Sequence, residues 1–430
     1  MPGEDGQEDR LGALAGPMRA AAARFGTPLY LTDEAAIEAA AEELRGAFPD
    51  PWIRQYSVKA NDVPAVIAMV CADGRGLGAN VVSRGEWAAA RNAGIPNDRI
   101  SLEGVGKTDA DLRSAVQAAR EGSPLLWIAV ESTDELAALA RIAGRARVAG
   151  RADLPTPLEV LLRLNPEVAP ETHDSLAVGA GGSKFGMTET ELSEGVDRFA
   201  AAPGLRLRGI HVHVGSQLGA VDAWRDGIRR GLALLGLIRG GLDDFDTLDV
   251  GGGFPVGRAD ETVPAPARFA RELPDLLETI PADRRPRRLA IEPGRYLVAR
   301  AGWIVGRVLH VRARGGRQVV IDAGMAEIIR PALYGARHDI VALTSLGRPV
   351  DDDRSTGAGG SGSGAGDDDS TAEVHGPICE STDALGTHDL PPLRRGDLVA
   401  IRDAGAYAAS LSMTYNGRPR RRHVVVRLDA

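Results

Sequence analysis

The chain has 430 residues, more than one compact domain ordinarily holds unless that domain is a barrel of about 250 residues, so two domains are expected. A net charge of −8 and a hydrophobic fraction of 43% exclude a protein that tracks nucleic-acid backbones, and no stretch approaches the roughly 20 apolar residues of a membrane span. The acidic N-terminus, MPGEDGQEDR, lacks the positive charge and apolar core of a secretory signal, so a cytoplasmic protein is expected.

From about residue 52, short apolar runs alternate with amphipathic or alanine-rich segments, as in parallel strands linked by helices. The predicted strands are 52–58, 77–82, 99–102, 125–130, 158–164, 207–214, 246–250 and 287–291. The predicted helices are 63–72, 84–92, 108–120, 132–146, 187–201, 222–239 and 265–279, with Asp109, Ser132 and Thr188 near their N-caps. Repeated strand–helix units predict a (β/α)8 TIM barrel over residues 35–300, although an open doubly wound sheet gives similar local signals. After Arg300 the rhythm becomes β-branched alternation broken by turns, at 303–313, 317–322, 339–344, 372–378, 397–402 and 423–428. A second, mostly antiparallel β domain is therefore expected over 301–430, and GTPLYL (27–32), in an N-terminal segment spanning 1–34, is expected to add a strand to it. The run DDDRSTGAGGSGSGAGDDD (351–369) has no side chains able to bury a core and predicts a disordered surface loop.

Basic charge is almost all arginine; the lysines are Lys59, Lys107 and Lys184. Arginine replaces lysine as a surface charge but cannot form a Schiff base, so these three are the candidates for amine chemistry. The two cysteines, Cys71 and Cys379, cannot make a disulfide framework.

In such a barrel, catalytic groups sit where strands end and loops begin. Lys59, in YSVKAN, follows the first predicted strand, and His213 and Ser216, in HVHVGSQ, close the sixth. Gly251, Gly252 and Gly253 follow the seventh, and Glu292, Gly294 and Arg295, in EPGR, follow the eighth. Singly, a strand histidine is more often core, a glycine triplet a tight turn, and EPGR a loop. Together they suit one chemistry. Loops after the last two strands form the usual phosphate site of these barrels, and consecutive glycines let backbone N–H groups approach an anion. Arg295 adds charge and Ser216 a hydroxyl. With a lysine and a carboxylate at the same mouth, the set is what pyridoxal 5′-phosphate requires. Glu292 would keep the pyridine nitrogen protonated, which favours a carbanion-forming step such as loss of CO2, and His213 could stack on the ring. No metal is expected.

The blocks YSVKAN, GLGANVVSRGE, RLNP, SKFGM, GIHVHVGSQ, LDVGGGF, EPGRYLVA, RPALYGA, GPICESTD and GAYAASLSMTYNGRPR occur in this order from about residue 27 to residue 427. They resemble the fold-type III pyridoxal-phosphate decarboxylases, and the diaminopimelate decarboxylases among them most of all. The resemblance implies that Lys59 is the cofactor lysine, His213 the ring-stacking histidine, Glu292 the pyridine partner, and Gly251–Gly253, Gly294 and Arg295 the phosphate and cofactor contacts. It implies a homodimer with active sites at the subunit interface, where Cys379 of one subunit is the acid that protonates the product and Tyr407 reaches the phosphate of the other. Arg295, Arg330, Tyr334, Glu380 and Tyr407 match substrate-holding positions, the arginines suiting a distal carboxylate and Glu380 a distal ammonium. The implied reaction converts meso-2,6-diaminopimelate to L-lysine and CO2; a paralogue acting on another amino acid or conjugate is the alternative. A racemase of this fold faces its ring nitrogen with arginine, and a non-catalytic homologue tends to lose the lysine or cysteine, so Glu292, Lys59 and Cys379 speak against both. Three residues depart from the pattern: Asn80, where an acid is common, Met413, where serine is common, and Tyr296, which replaces a smaller residue. Lys107 and Lys184 receive no catalytic role.

Overall fold

The computed structural model describes residues 4–72, 74–148, 154–169, 179, 182–258, 261–350 and 370–428, so the 351–369 run lies outside the described residues. The chain forms two units, Glu38–Leu297 and a second made of Met1–Ile37 with Val298–Ala430. It starts in the second unit with helix α1 (Glu4–Phe25) and strand β1 (Leu29–Asp33), leaves for the first, and returns at Val298.

The first unit is a closed parallel barrel of β2 (Ile53–Ser57), β3 (Leu77–Val81), β4 (Ile100–Leu102), β5 (Trp127–Val130), β6 (Leu158–Leu164), β7 (Leu205–Val212), β8 (Thr247–Asp249) and β9 (Arg288–Ile291). Runs such as LGANV and WIAV are buried at every position, which requires cover on both faces and explains why they read as continuous apolar stretches. Closure is made by β9 pairing back onto β2 through Ile53↔Ala290 and Arg54↔Ile291. Between β7 and β8 there is no room for a side chain at Gly209, where a Cβ would lie 1.8 Å from the Thr247 carbonyl oxygen. Each predicted barrel strand is present within two residues of its expected start. Several of the helices begin at hydroxyl caps: Thr108 and Thr188 each form a capping box, with Asp111 and Glu191, and Ser132 Oγ accepts from the Glu135 N–H. Asp109 is the first helical residue rather than the cap, because the Thr108 hydroxyl already takes the Asp111 N–H.

The second unit is a sheet ordered β12 (Ile340–Ala342), β17 (Leu398–Ile401), β10 (Gly302–Ala313), β11 (Arg317–Ile321), β15 (Thr371–His375), β16 (Ala384–Asp389), with a separate ribbon of β13 (Thr344–Ser345) and β14 (Arg348–Pro349). β1 adds to β10 antiparallel and to β18 (Arg422–Val426) parallel; β11–β15 is also parallel, and the other pairings of this sheet are antiparallel. Two clusters pack it. Tyr30, Ile304, Val319, Val374 and Val399 fill one, while Leu29, Leu31, Trp303 and Val305 pack with Leu14 and Met18 of α1 in the other. Among the described residues no helix is long and apolar enough to cross a membrane.

Candidate active site

The C-terminal ends of the barrel strands gather the chemistry. Lys59 lies on a single 3-10 turn (Val58–Ala60) directly after β2, half-buried. That turn is knitted to the loop after β9: the Ser57 N–H donates to the Pro293 carbonyl (2.9 Å) and the Ser57 hydroxyl to the Glu292 carbonyl (3.0 Å). Gly294 packs against the same turn, where a Cβ would meet Ser57 Cβ at 2.9 Å. The lysine charge acts on His213 and His211 and on Glu86, whose carboxyl burial raises while the Val82 N–H and Lys59 draw it back.

His213 stands one residue beyond the end of β7. Its Nδ1 accepts the Gly252 N–H (3.2 Å), which fixes the ring against the glycine turn after β8. Enclosure by protein, then the Lys59 charge, hold this imidazole well below its ordinary pKa, so it is neutral. The glycine turn has no room for side chains: a Cβ on Gly251, Gly252 or Gly253 would fall 2.5, 2.3 or 2.5 Å from the carbonyl oxygens of Val212, Glu292 and Gly215. Next to it, Arg295 Nη2 donates to Ser216 Oγ (3.1 Å), joining the two polar side chains expected at the anion site.

Glu292, immediately after β9, is 5% exposed and accepts from Asn80 Nδ2 at 2.6 Å. The family departure at position 80 thus gives Glu292 a hydrogen-bond donor in place of a like charge. Glu292 has further buried company that the sequence reading did not single out: Glu103 after β4, His211 on β7 and Asp249 at the end of β8. Glu103, His211 and Glu292 bring carboxylate and imidazole atoms within 4.8 Å of one another. Burial, then the Glu292 charge, push the Glu103 carboxyl up to about 8 and the Asp249 carboxyl well above its ordinary range; burial takes His211 down to about 4. Glu103 and Asp249 each close a short strand, and that position was the available signal, whereas His211 lies within β7 two residues before His213. A second buried pair, Arg163 of β6 with Glu131 after β5 (2.6 Å), flanks them; burial opposes ionisation of Glu131, but Arg163 and Lys107 outweigh it and hold the carboxyl below its usual range. Lys107 is taken up by Glu135 (3.0 Å), and Lys184 lies over the Phe185 ring (5.3 Å).

The remaining expected residues belong to the sheet unit. Cys379 and Glu380 sit exposed on the GPICESTD loop, which folds around Asp383: that carboxylate accepts from the Ile378 N–H (2.7 Å) and the Met325 N–H (2.6 Å). Glu380 accepts from the Tyr415 hydroxyl (2.6 Å). Arg330 and Tyr334 bound a short helix, and Arg330 Nη1 donates to Nε2 of buried His338 (2.7 Å), whose Nδ1–H donates to the Arg402 carbonyl (3.0 Å). Tyr407 adopts a left-handed φ of 58°.

A primary amine, a buried carboxylate, an arginine–serine pair and a side-chain-free turn, all at the C-terminal ends of a closed parallel barrel, make a donor set that fits pyridoxal phosphate and define a barrel enzyme using that cofactor. The family described as pyridoxal-dependent decarboxylase, pyridoxal binding domain, matches residues 34–299. A diaminopimelate decarboxylase of Aquifex aeolicus is 34% identical over 405 residues, covering 94% of this chain and 87% of the relative, and one of Vibrio cholerae is 34% identical over 425 residues, covering 98% and 92%. The solved diaminopimelate decarboxylase of Helicobacter pylori, complexed with L-lysine, superposes with a TM-score of 0.81 at 28% identity, covering 95% of this chain and 94% of that one. The chain belongs to the pyridoxal-dependent decarboxylase family.

Proposed function

We propose that this chain decarboxylates meso-2,6-diaminopimelate to L-lysine and CO2, as a cytoplasmic homodimer in which the sheet unit of each subunit supplies Cys379 and Tyr407 to the barrel of the other. The observation that carries the reading is the buried Glu292 carboxylate beside the glycine turn and Lys59, in a chain whose likeness to diaminopimelate decarboxylases runs nearly end to end. Bound pyridoxal phosphate supplies the electron sink that allows a bond from Cα to its carboxylate to break. The protein does the rest. Lys59 holds the cofactor through its amine; Gly251–Gly253, Gly294, Arg295 and Ser216 hold the phosphate; Glu292 keeps a proton on the ring nitrogen; neutral His213 packs on the ring without adding charge. Cys379 delivers the proton that replaces CO2 on Cα. Arg330 takes the distal carboxylate and Glu380 the distal ammonium, with Tyr334 among the substrate contacts. CO2 release from meso-diaminopimelate, lysine, ornithine and arginine tests the reading. The first should be turned over and the others, lacking the distal carboxylate, should be poor; preference for ornithine or lysine overturns the substrate assignment.

A further inference from the structure

Glu292 is one of three carboxyl groups in a single dry pocket. Glu103, Asp249 and Glu292 are respectively 4%, 0% and 5% exposed, and Asn80 and His211, each 1% exposed, complete the cluster. His211 Nε2 lies 3.4 Å from Glu292 Oε2 and 3.7 Å from Glu103 Oε2, and Trp127 Nε1 donates to Glu103 Oε1 across 3.5 Å. Asp249 Oδ1 accepts the Gly251 N–H (2.9 Å), but Asp249 Oδ2 and both His211 ring nitrogens are buried without a hydrogen-bond partner. The nearby cations do not neutralise the group: Arg163 is engaged with Glu131, and Lys59 stands after β2 on the cofactor side. Three negative charges packed this closely, away from water, cannot all be ionised.

We propose that Glu103 and Asp249 are positioning residues that each hold a proton and direct it toward Glu292, so that the cluster carries a single negative charge, lodged on Glu292. Asn80 adds a donor that has no proton to lose. Protonation also gives the unpartnered Asp249 Oδ2 a proton to donate, and neutral His211 adds no charge to the cluster. The consequence for the chemistry is that the ring-nitrogen partner faces proton donors from Glu103, Asp249 and Asn80 instead of further negative charges. This rests on the reading of Glu292 as that partner.

The test uses the cofactor-free protein, so that its outcome does not depend on turnover. Infrared difference spectra of wild type, E103Q, D249N and E292Q are compared at neutral pH in the region of the neutral carboxyl stretch. E103Q and D249N should each lack one neutral carboxyl present in wild type, whereas E292Q should lack an ionised carboxylate. Unfolding measured against pH gives a second readout. With a folded-state pKa near 8 against about 4.3 unfolded, Glu103 binds a proton in the native protein that the unfolded chain has lost. Wild-type stability should therefore fall as pH rises through that window, and E103Q should flatten part of the fall; E103A serves if the amide does not fold. A neutral-carboxyl signal unchanged in E103Q, or a pH dependence no different from wild type, overturns the proposal. The role of Glu292 is judged separately, by CO2 release: a fully active E292Q would remove that role and leave the proton count standing.

Discussion

Gly252 is the residue through which two groups of the proposed cofactor site are held at once. Its N–H donates to His213 Nδ1, and an added Cβ would sit 2.3 Å from the Glu292 carbonyl oxygen, where ordinary contact begins at 3.4 Å. Gly252→Ala must therefore drive the β8 and β9 loops apart by about 1 Å, against backbone rather than a side chain that could swing away. Overpacking of this kind costs about 1–3 kcal/mol of stability. The larger effect is on the site, because a shift of about 1 Å in reacting groups costs on the order of 10²-fold in rate, about 2.7 kcal/mol of barrier. The assay is CO2 release together with titration of apoprotein with pyridoxal phosphate, with circular dichroism to show that the barrel persists. Gly144→Ala, where a Cβ would meet nothing within 4 Å, is the control and should match wild type. A Gly252→Ala protein that binds cofactor and turns over like wild type would refute the argument that this turn sets the positions of Glu292 and His213.

Borohydride reduction of the loaded enzyme should fix a pyridoxyl group on the peptide holding Lys59; recovery of the tag on Lys107 or Lys184 would relocate the site. Burial pushes the Cys71 thiol up to about 12, whereas Cys379 is exposed, so a thiol reagent should label Cys379 first and bound lysine should slow it; early labelling of Cys71 would contradict this. Arg163→Met leaves Glu131 buried without its partner, a loss of about 3–5 kcal/mol in urea unfolding, and a change below about 1 kcal/mol would mean that water already reaches the pair. His338→Ala should raise KM more than it lowers kcat by releasing Arg330, with His338→Gln recovering part of the loss; equal effects on both constants would show that His338 does not act through substrate binding.

The barrel was legible because its strands are buried on both faces and three of its helices start at Thr108, Ser132 and Thr188 or one residue away. Other elements were not, and two of them show why. Helix α1 begins with EDGQEDR and carries Pro17, so its apolar residues Leu14 and Met18 form a stripe only when β1 and β10 are there to receive it. β16 reads ALGTHD, mostly polar, and is a strand because β15 pairs with it. In the site, Lys59, His213, the glycine turn and EPGR stood out as unusual types at strand ends. Glu103 and Asp249 did not, because a single ionisable residue closing a short strand looks like a strand boundary, and His211 did not, because a histidine within a strand looks like a core residue until tertiary structure brings the carboxylates to it.

The placement of β1 between β10 and β18 has a consequence for synthesis. Both of its neighbours are encoded after the entire barrel, and β18 is the last described strand of the chain. As the chain leaves the ribosome, Leu29 and Leu31 of β1 and the Leu14–Met18 stripe of α1 emerge before Trp303 and Val305 of β10, which complete their cluster. The barrel, whose strands follow one another without interruption, can close during translation; the sheet unit is completed only once β18 follows. A ribosome stalled before residue 422 would thus display a finished barrel trailing an apolar strand with an open hydrogen-bonding edge, the kind of nascent chain that holding chaperones retain.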